Sequence, residues 1–357
     1  MVGVHEGRIL DEIMKDPRIA YREQDKVGRI SSLEGQTLPA GIDRIGGDLY
    51  VPADAVNTNN SANLTKDGKE GFSGQVDVDV AILDTGISLN HPDLHVYRNV
   101  SFVNYTTLGD DDQGHGSHVA GIVAAKNNSY GVVGVAPGAR LWAVKVCDQL
   151  GSCTTSNQIK GVQYVINHAD EIDVANISIE SLYSPALNSA IKQAVMKGVT
   201  FVVASGNSFQ NASNISPANS PYVITVSAIA DTDGMCGGYG AETFYGKDDG
   251  FADFSNFGNV VDISAPGVDI LSTFNGTEYG IDSGTSMAAP HVTGIAALLK
   301  TKYPYMSPFQ VFQALNDASS KPDTKCNEDL GGYFIGDVDD LPEPMVQIPQ
   351  NLTRNNS

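Results

Sequence analysis

Val80-Ala-Ile-Leu-Asp84-Thr-Gly86 is a run of four apolar residues closed by a carboxylate, with a glycine two positions further on. A run that is apolar at every position, not at every second one, fits a strand buried on both faces, as in a parallel sheet covered by helices. The chain around it repeats the pattern. Apolar runs at Val76–Leu83, Leu141–Val146, Val174–Ile179 and Val199–Ala204 alternate with amphipathic stretches at Ser117–Ala125, Gln158–Ala169 and Leu187–Met196. Strands alternating with helices make βαβ units, so the expected fold is α/β, with three layers: a mostly parallel sheet and helices on both faces. In such sheets ligands gather outside the carboxyl ends of the strands. Asp84 stands at one of those ends, before a glycine that permits a sharp turn, although taken alone it could simply cap that turn.

The 357 residues suit one large α/β domain or two smaller ones. Hydrophobic residues at 41% against 18% charged exclude a disordered chain. Lys plus Arg number 22 against 42 Asp plus Glu, a formal charge of −20, and such a surface repels phosphate backbones. Nucleic acid is therefore not an expected partner. No apolar run reaches the ~18 residues of a membrane span, since even Val132–Val146 is broken by Pro137, Arg140 and Lys145. The first fifteen residues carry His5, Glu6, Arg8, Asp11 and Glu12, so no signal peptide is read in this chain.

Several stretches interrupt the alternation. Two insertions are expected at about 43–75, where Asn57-Thr-Asn-Asn-Ser61 is the most loop-like part, and at about 232–250, around Cys236-Gly-Gly-Tyr-Gly240. From Gly331 the composition has few apolar residues, with Asp337, Asp339 and Asp340 among prolines, so residues 321–357 are expected to be an acidic tail or linker. Four cysteines, Cys147, Cys153, Cys236 and Cys326, permit three fully paired connectivities. A Cys147–Cys153 bridge across a Gly-containing loop and a set of four buried or reduced thiols both remain open.

Three further segments carry groups able to do chemistry. Asp112-Gln-Gly-His115-Gly-Ser-His118-Val-Ala-Gly121 puts His115 ahead of a helix that begins in small residues, which leave an imidazole room to meet a partner. His118 could form a metal pair with His115, but no supporting acidic ligand can be placed. Gly280-Ile-Asp-Ser-Gly284-Thr-Ser286-Met-Ala-Ala-Pro290-His-Val-Thr-Gly294 puts Ser286 at a helix start, where free N–H groups and the helix dipole favour a developing oxyanion. A plain serine N-cap is the alternative reading. Phe201-Val-Val-Ala-Ser-Gly206-Asn207 brings a side-chain amide to a strand end, a donor suited to the same oxyanion.

Together these segments resemble the subtilisin-like serine proteases, the subtilase family or peptidase S8, from about Gln36 to about Ala318. The order Asp84, His115, Ser286 is that family's order of acid, base and nucleophile. The motifs Gly114-His115-Gly-Ser-His-Val-Ala-Gly121 and Gly284-Thr-Ser286-Met-Ala-Ala-Pro290-His are both highly specific. The resemblance implies a serine endopeptidase in which Ser286 attacks, His115 moves the proton, Asp84 orients the imidazole and Asn207 donates to the oxyanion. Polypeptide substrate would lie extended beside Leu150-Gly151 and Ser178-Ile179, near Gly206. The family usually has glycines where this sequence has Glu180 and Ser181; the Glu180 carboxylate either alters the first specificity pocket or turns to solvent.

The resemblance also implies a structural calcium ion held by side chains of Gln36, Asp93 and Asn128 and carbonyls of Lys126, Tyr130 and Val132. It makes residues 1–34 the last part of an inhibitory propeptide, acting on its own chain, and residues 35–320 the peptidase domain, working as a monomer. An extracellular or cell-surface setting follows for a zymogen of this kind, and Asn63-Leu-Thr, Asn104-Tyr-Thr and Asn275-Gly-Thr are compatible with export. Two rivals remain. One is an aspartic protease using Asp84-Thr-Gly86 and Asp282-Ser-Gly284, which would leave His115 and Asn207 without roles. The other is a catalytically silent peptide-binding homologue, whose usual sign, a substituted triad member, is lacking.

Overall fold

The apolar runs become the strands of one sheet in the computed structural model, which describes residues 35–47, 63–64, 70–71, 76–322, 324–326, 332–336, 338–339 and 341–352. The segment 1–34 read as a propeptide lies outside the described residues, as does most of the insertion expected at 43–75. The strands are β1 Gln36–Thr37, β2 Asn63–Leu64, β3 Glu70–Gly71, β4 Asp79–Asp84, β5 Val96–Ser101, β6 Gly131–Val132, β7 Arg140–Lys145, β8 Val174–Ile177, β9 Ser181–Leu182, β10 Thr200–Ala204, β11 Ile215–Ser216, β12 Ile224–Ala230, β13 Gly250–Phe251, β14 Ile263–Pro266, β15 Ile270–Thr273 and β16 Tyr279–Asp282. The helices are α1 Ala40–Arg44, α2 His115–Ala124, α3 Thr155–Asn167, α4 Pro185–Met196, α5 Thr285–Lys302 and α6 Pro308–Ala318. Eight strands form the main sheet, in the order β13-β12-β10-β8-β4-β7-β5 with β14 also on β12. Its pairings are parallel except for β12 with β13.

Strand residues alternate between two cores, which is why the runs read as continuously apolar. Val80, Ile82, Leu141, Ala143, Val202 and Ala204 pack into one cluster with α2, α5 and α6. Their neighbours Ala81, Leu83, Trp142, Val144, Phe201 and Val203 pack into the other with α3 and α4. The helices start where local chemistry supplies caps. Thr154 accepts the Asn157 N–H before α3, Ser184 accepts the Leu187 N–H before α4, and Ser307 with Gln310 makes a reciprocal capping box before α6. At the carboxyl edge of the sheet β4 ends on Asp84, β8 leads into Ser178 and β10 leads into Gly206 and Asn207. That edge is the one the sequence marked for a ligand.

Three expectations need correction. The first part of the 43–75 insertion is not surface chain, because Ile45 is buried in the core beside Ile42 of α1 and Arg44 pairs with buried Asp231 and Asp249. All four cysteines are paired, Cys147 with Cys153 and Cys236 with Cys326, so the reduced-thiol alternative falls. The second bridge ties the 232–250 insertion to residues ninety positions further on.

The third correction concerns the tail. Phe334, Met345, Val346, Ile348 and Leu352 are buried in the first cluster. The main chain explains how so few apolar residues suffice. Ser264 N–H donates to the Pro344 carbonyl and Val346 N–H to the Ser264 carbonyl, both at 2.9 Å, so the tail adds to the open side of β14. Ser320 and Met345 exchange both their backbone bonds, at 2.8 and 3.0 Å. Composition counted the apolar residues but could not see a sheet edge waiting for them.

Met345 is fully buried, so Met345→Ala is expected to cost about 2–5 kcal/mol of stability. Denaturant unfolding checks this; a loss below about 0.5 kcal/mol would mean that the tail is not part of the core.

Candidate active site

Asp84 is held in the floor of a cleft of about 320 Å³ that is lined also by His115, Ser178, Ile179, Glu180, Gly206, Asn207 and Ser286. Its Oδ1 lies 2.8 Å from His115 Nδ1 and also accepts the Thr85 N–H at 2.7 Å. The turn after Asp84 needs its glycine: Gly86 has φ +112°, and a Cβ there would stand 2.6 Å from the Asp110 carbonyl oxygen. Burial works against a charged His115 ring, but the charge and hydrogen bond of Asp84, with Asp282 and Asp111 further off, outweigh it and raise its pKa to about 9.

The loop that carries His115 is organised by a residue that sequence reading passed over. Asp111 is buried, and its Oδ1 accepts from the Gln113 and Gly114 N–H groups and from the Thr85 hydroxyl, all within 3.0 Å. Its Oδ2 accepts the Ser117 N–H at 2.9 Å and the Ser117 hydroxyl at 2.6 Å. One carboxylate thus joins the turn after β4 to the start of α2. The sequence shows three consecutive aspartates, 110–112, and nothing local says which of them turns inward.

Ser286 lies in the first turn of α5 and is buried. Its hydroxyl donates to the Ser178 carbonyl at 3.2 Å. Asn207 is oriented by its own oxygen, which accepts the Thr285 N–H and the Thr285 hydroxyl, both at 2.8 Å. With Oδ1 committed, Nδ2 is the end left to donate. A Cβ on Gly284 would stand 3.2 Å from that Nδ2 and 3.6 Å from the Ser286 nitrogen, so both donors border the same small space. Thr285, like Asp111, positions a group without standing out in the sequence.

Other expectations sort plainly. Gly151 lines the cleft, whereas Leu150 stays outside the lining with 84% of its surface exposed. The Cys147 and Cys153 pair adds to the wall beside Gly151. His118 is no metal partner of His115: it is buried, and its Nε2 donates to the Ile270 and Gly280 carbonyls at 2.9 and 3.1 Å. Burial drives its pKa down to about 4, so it stays neutral. Asp282 accepts from the Ser283 N–H and shares no hydrogen bond with Asp84, which gives the aspartic-protease reading no support.

Among the residues expected to hold calcium, Gln36 meets the 126–132 loop across 90 to 96 positions of sequence and Asp93 meets Asn128 across 35. The Gln36 amide nitrogen faces the Lys126 carbonyl at 2.7 Å, the Val132 carbonyl at 3.2 Å, and both the Tyr130 carbonyl and Asn128 Oδ1 at 3.4 Å. An NH2 group has two protons for four oxygens, so the site holds more acceptors than the amide can serve. Fully buried Asp93 completes the group, with Oδ1 2.5 Å from Asn128 Nδ2 and Oδ2 accepting from Tyr279 at 2.8 Å. Convergent oxygens around a single carboxylate are the donor set of a hard cation.

Residues 76–333 match the model of the peptidase S8, or subtilase, family. The chain belongs to the subtilase family. It is 36% identical over 318 residues to subtilisin E of Bacillus subtilis (strain 168), covering 88% of this chain and 73% of that one. It is 39% identical over 313 residues to the M-protease of Shouchella clausii (strain KSM-K16), covering 87% and 71%, and 37% identical over 312 residues to a thermostable alkaline protease of Halalkalibacterium halodurans, covering 87% and 75%. A crystal structure of a cold adapted subtilisin-like serine proteinase superposes with TM-score 0.64 at 30% identity, over 87% of this chain and 97% of the other. This subtilase is a serine endopeptidase with the three-layer α/β fold of its family. None of its described helices is long and apolar enough to cross a membrane.

Proposed function

We propose that this subtilase cleaves peptide bonds through an acyl-enzyme formed on Ser286, with His115 as general base and acid, Asp84 as its orienting carboxylate and Asn207 as oxyanion donor. The observation that carries this reading is the 2.8 Å contact between Asp84 Oδ1 and His115 Nδ1 in the cleft that also contains Ser286 and Asn207. With Nδ1 engaged by the carboxylate, Nε2 is the nitrogen that takes the Ser286 proton as Oγ attacks the carbonyl carbon. The carbonyl oxygen becomes an oxyanion received by Asn207 Nδ2 and the Ser286 N–H, and loss of one such donor costs about 3 kcal/mol of transition-state stabilisation. His115 then passes its proton to the leaving amine. Water repeats the steps in reverse to free the acyl group.

Substrate lies extended along Gly151 and Ser178-Ile179-Glu180, with Gly206 in the same lining. Residues 178–180 run between β8 and β9 outside any ladder, which supports their pairing with an added strand. The oxygens around Gln36 Nε2 support a structural calcium ion, which Gln36, Asp93, Asn128 and the carbonyls of Lys126, Tyr130 and Val132 would hold; it would balance the charge of buried Asp93 and tie the 126–132 loop to β1. The segment 1–34 serves as propeptide and intramolecular inhibitor. Two disulfides favour an oxidising, extracellular or cell-surface setting. A monomer suffices, since every group named comes from one chain.

Ser286→Ala is expected to abolish peptide hydrolysis and fluorophosphonate labelling while the thermal midpoint moves little, because Gly284 and not Ser286 is the N-cap of α5 and the Ser286 hydroxyl makes one hydrogen bond, to the Ser178 carbonyl, worth about 1 kcal/mol. Substantial residual cleavage by the purified variant would reject the mechanism. Excess chelator is expected to lower the thermal midpoint and open the 126–132 loop to proteolysis, since an ion bound only by the native state stabilises it by mass action. An unchanged midpoint, with calcium readdition having no effect, would reject the cation.

A further inference from the structure

The cleft beside Ser286 has two walls, one made by Ser178, Ile179 and Glu180 and the other by Ala204, Gly206 and Asn207. The side chain of Glu180 reaches from the first to the second. Its Oε2 accepts the Asn207 backbone N–H at 2.7 Å, and its Oε1 accepts the Ser208 hydroxyl at 3.2 Å. A Cβ placed on Gly206 would stand 2.4 Å from Oε2, so the carboxylate rests directly against that residue. Of the two readings the sequence left open, the carboxylate is thus fastened to the cleft wall and does not swing away from it.

Fastening does not exhaust the carboxylate. It has about four acceptor positions, two of which are used, and Glu180 remains exposed to the cleft's solvent. Among the described residues the lining contains no lysine or arginine, and its one other carboxylate, Asp84, is engaged by His115. A negative charge that is fixed, partly unsatisfied and without a basic partner in the lining favours a cation and repels an anion. The chain's net charge of −20 acts in the same direction at longer range.

We propose that Glu180 makes the enzyme prefer substrates with a lysine or arginine at the residue whose carbonyl Ser286 attacks. The inference rests on the reading of Ser286 as nucleophile, and it adds the side chain that the first pocket selects. Because Glu180 is already held by two donors, the cation meets an acceptor in place and little side-chain freedom is lost on binding. An acidic residue at the same position brings two carboxylates together and is the poorest substrate.

The test is a set of fluorogenic peptides that differ only at that residue, carrying Lys, Arg, Gln or Glu, measured at about pH 8, where these side chains hold their ordinary charges. Lys and Arg peptides are expected to exceed the Glu peptide by about tenfold in kcat/KM at low salt, the scale of one exposed attraction gained and one repulsion removed. Raising ionic strength to about 0.5 M should shrink that ratio. Glu180→Gln keeps an oxygen for the Asn207 N–H and is expected to bring the Lys-to-Gln ratio close to one, with Glu180→Gly as a second variant that removes the group altogether. Equal rates for Lys, Gln and Glu peptides in the wild type, or an unchanged ratio in both variants, would overturn the proposal. Fluorophosphonate labelling of the wild type separates the two levels. A labelled enzyme without the cation preference overturns the role of Glu180 alone, whereas an enzyme that fails to label overturns the reading beneath it as well.

Discussion

A carboxylate buried at the end of a central strand must find a partner, and in this chain that partner is the imidazole of His115, 2.8 Å away. Much of the architecture serves to keep those two groups together. Asp84 closes β4, which lies between β7 and β8 near the middle of the sheet, so the strand that carries it is paired on both sides and Asp84 itself faces Lys145 of β7. His115 opens α2, and the turn before it is held to the Asp84 turn by Asp111, which accepts from the Thr85 hydroxyl and from three N–H groups of residues 113–117. A parallel sheet delivers several strand ends to one edge, and that property brings Ser178, Gly206 and Asn207 to the same cleft. Thr285 ties the last of these to the start of α5, next to Ser286.

The same buried contact sets the electrostatics. Desolvation opposes a charged imidazole, and the nearby carboxylates reverse that balance. A raised pKa means that the neutral ring, the form able to accept a proton, grows in population as pH rises through about 9. His118 shows the opposite outcome three residues later on the same helix. Buried against two carbonyl oxygens, it is held neutral to well below its ordinary value. Two histidines in one motif therefore do different work, one titrating in the cleft and the other fastening α2 to β15 and the start of β16.

What the sequence disclosed follows from how locally each feature is encoded. Continuous apolar runs such as Val80–Leu83 announce burial on both faces, and the segments around His115 and Ser286 are contiguous motifs. Features formed by distant residues were not legible. The Cys236–Cys326 pairing spans ninety positions, and the tail's docking on β14 depends on backbone groups of Ser264 that no composition count contains. Strand β12 escaped notice because Thr225 and Ser227 interrupt its apolar residues; both are buried, the Thr225 hydroxyl donating to the Ala218 carbonyl and Ser227 bonding Ser264 at 2.8 Å. Glu180 was visible as a departure from the family, but its direction was fixed only by Asn207 and Ser208, some 27 residues away.

The central claim is that Asp84 governs the protonation and orientation of His115, and the pH dependence of kcat/KM tests it most directly. In the wild type the rate should rise with pH along a limb whose midpoint lies near 9. Asp84→Asn removes the largest contribution that raises this value, so its residual activity should fall by about 10⁴-fold and its limb should move to lower pH. An Asp84→Asn enzyme that kept both the wild-type rate and the wild-type midpoint would contradict the account.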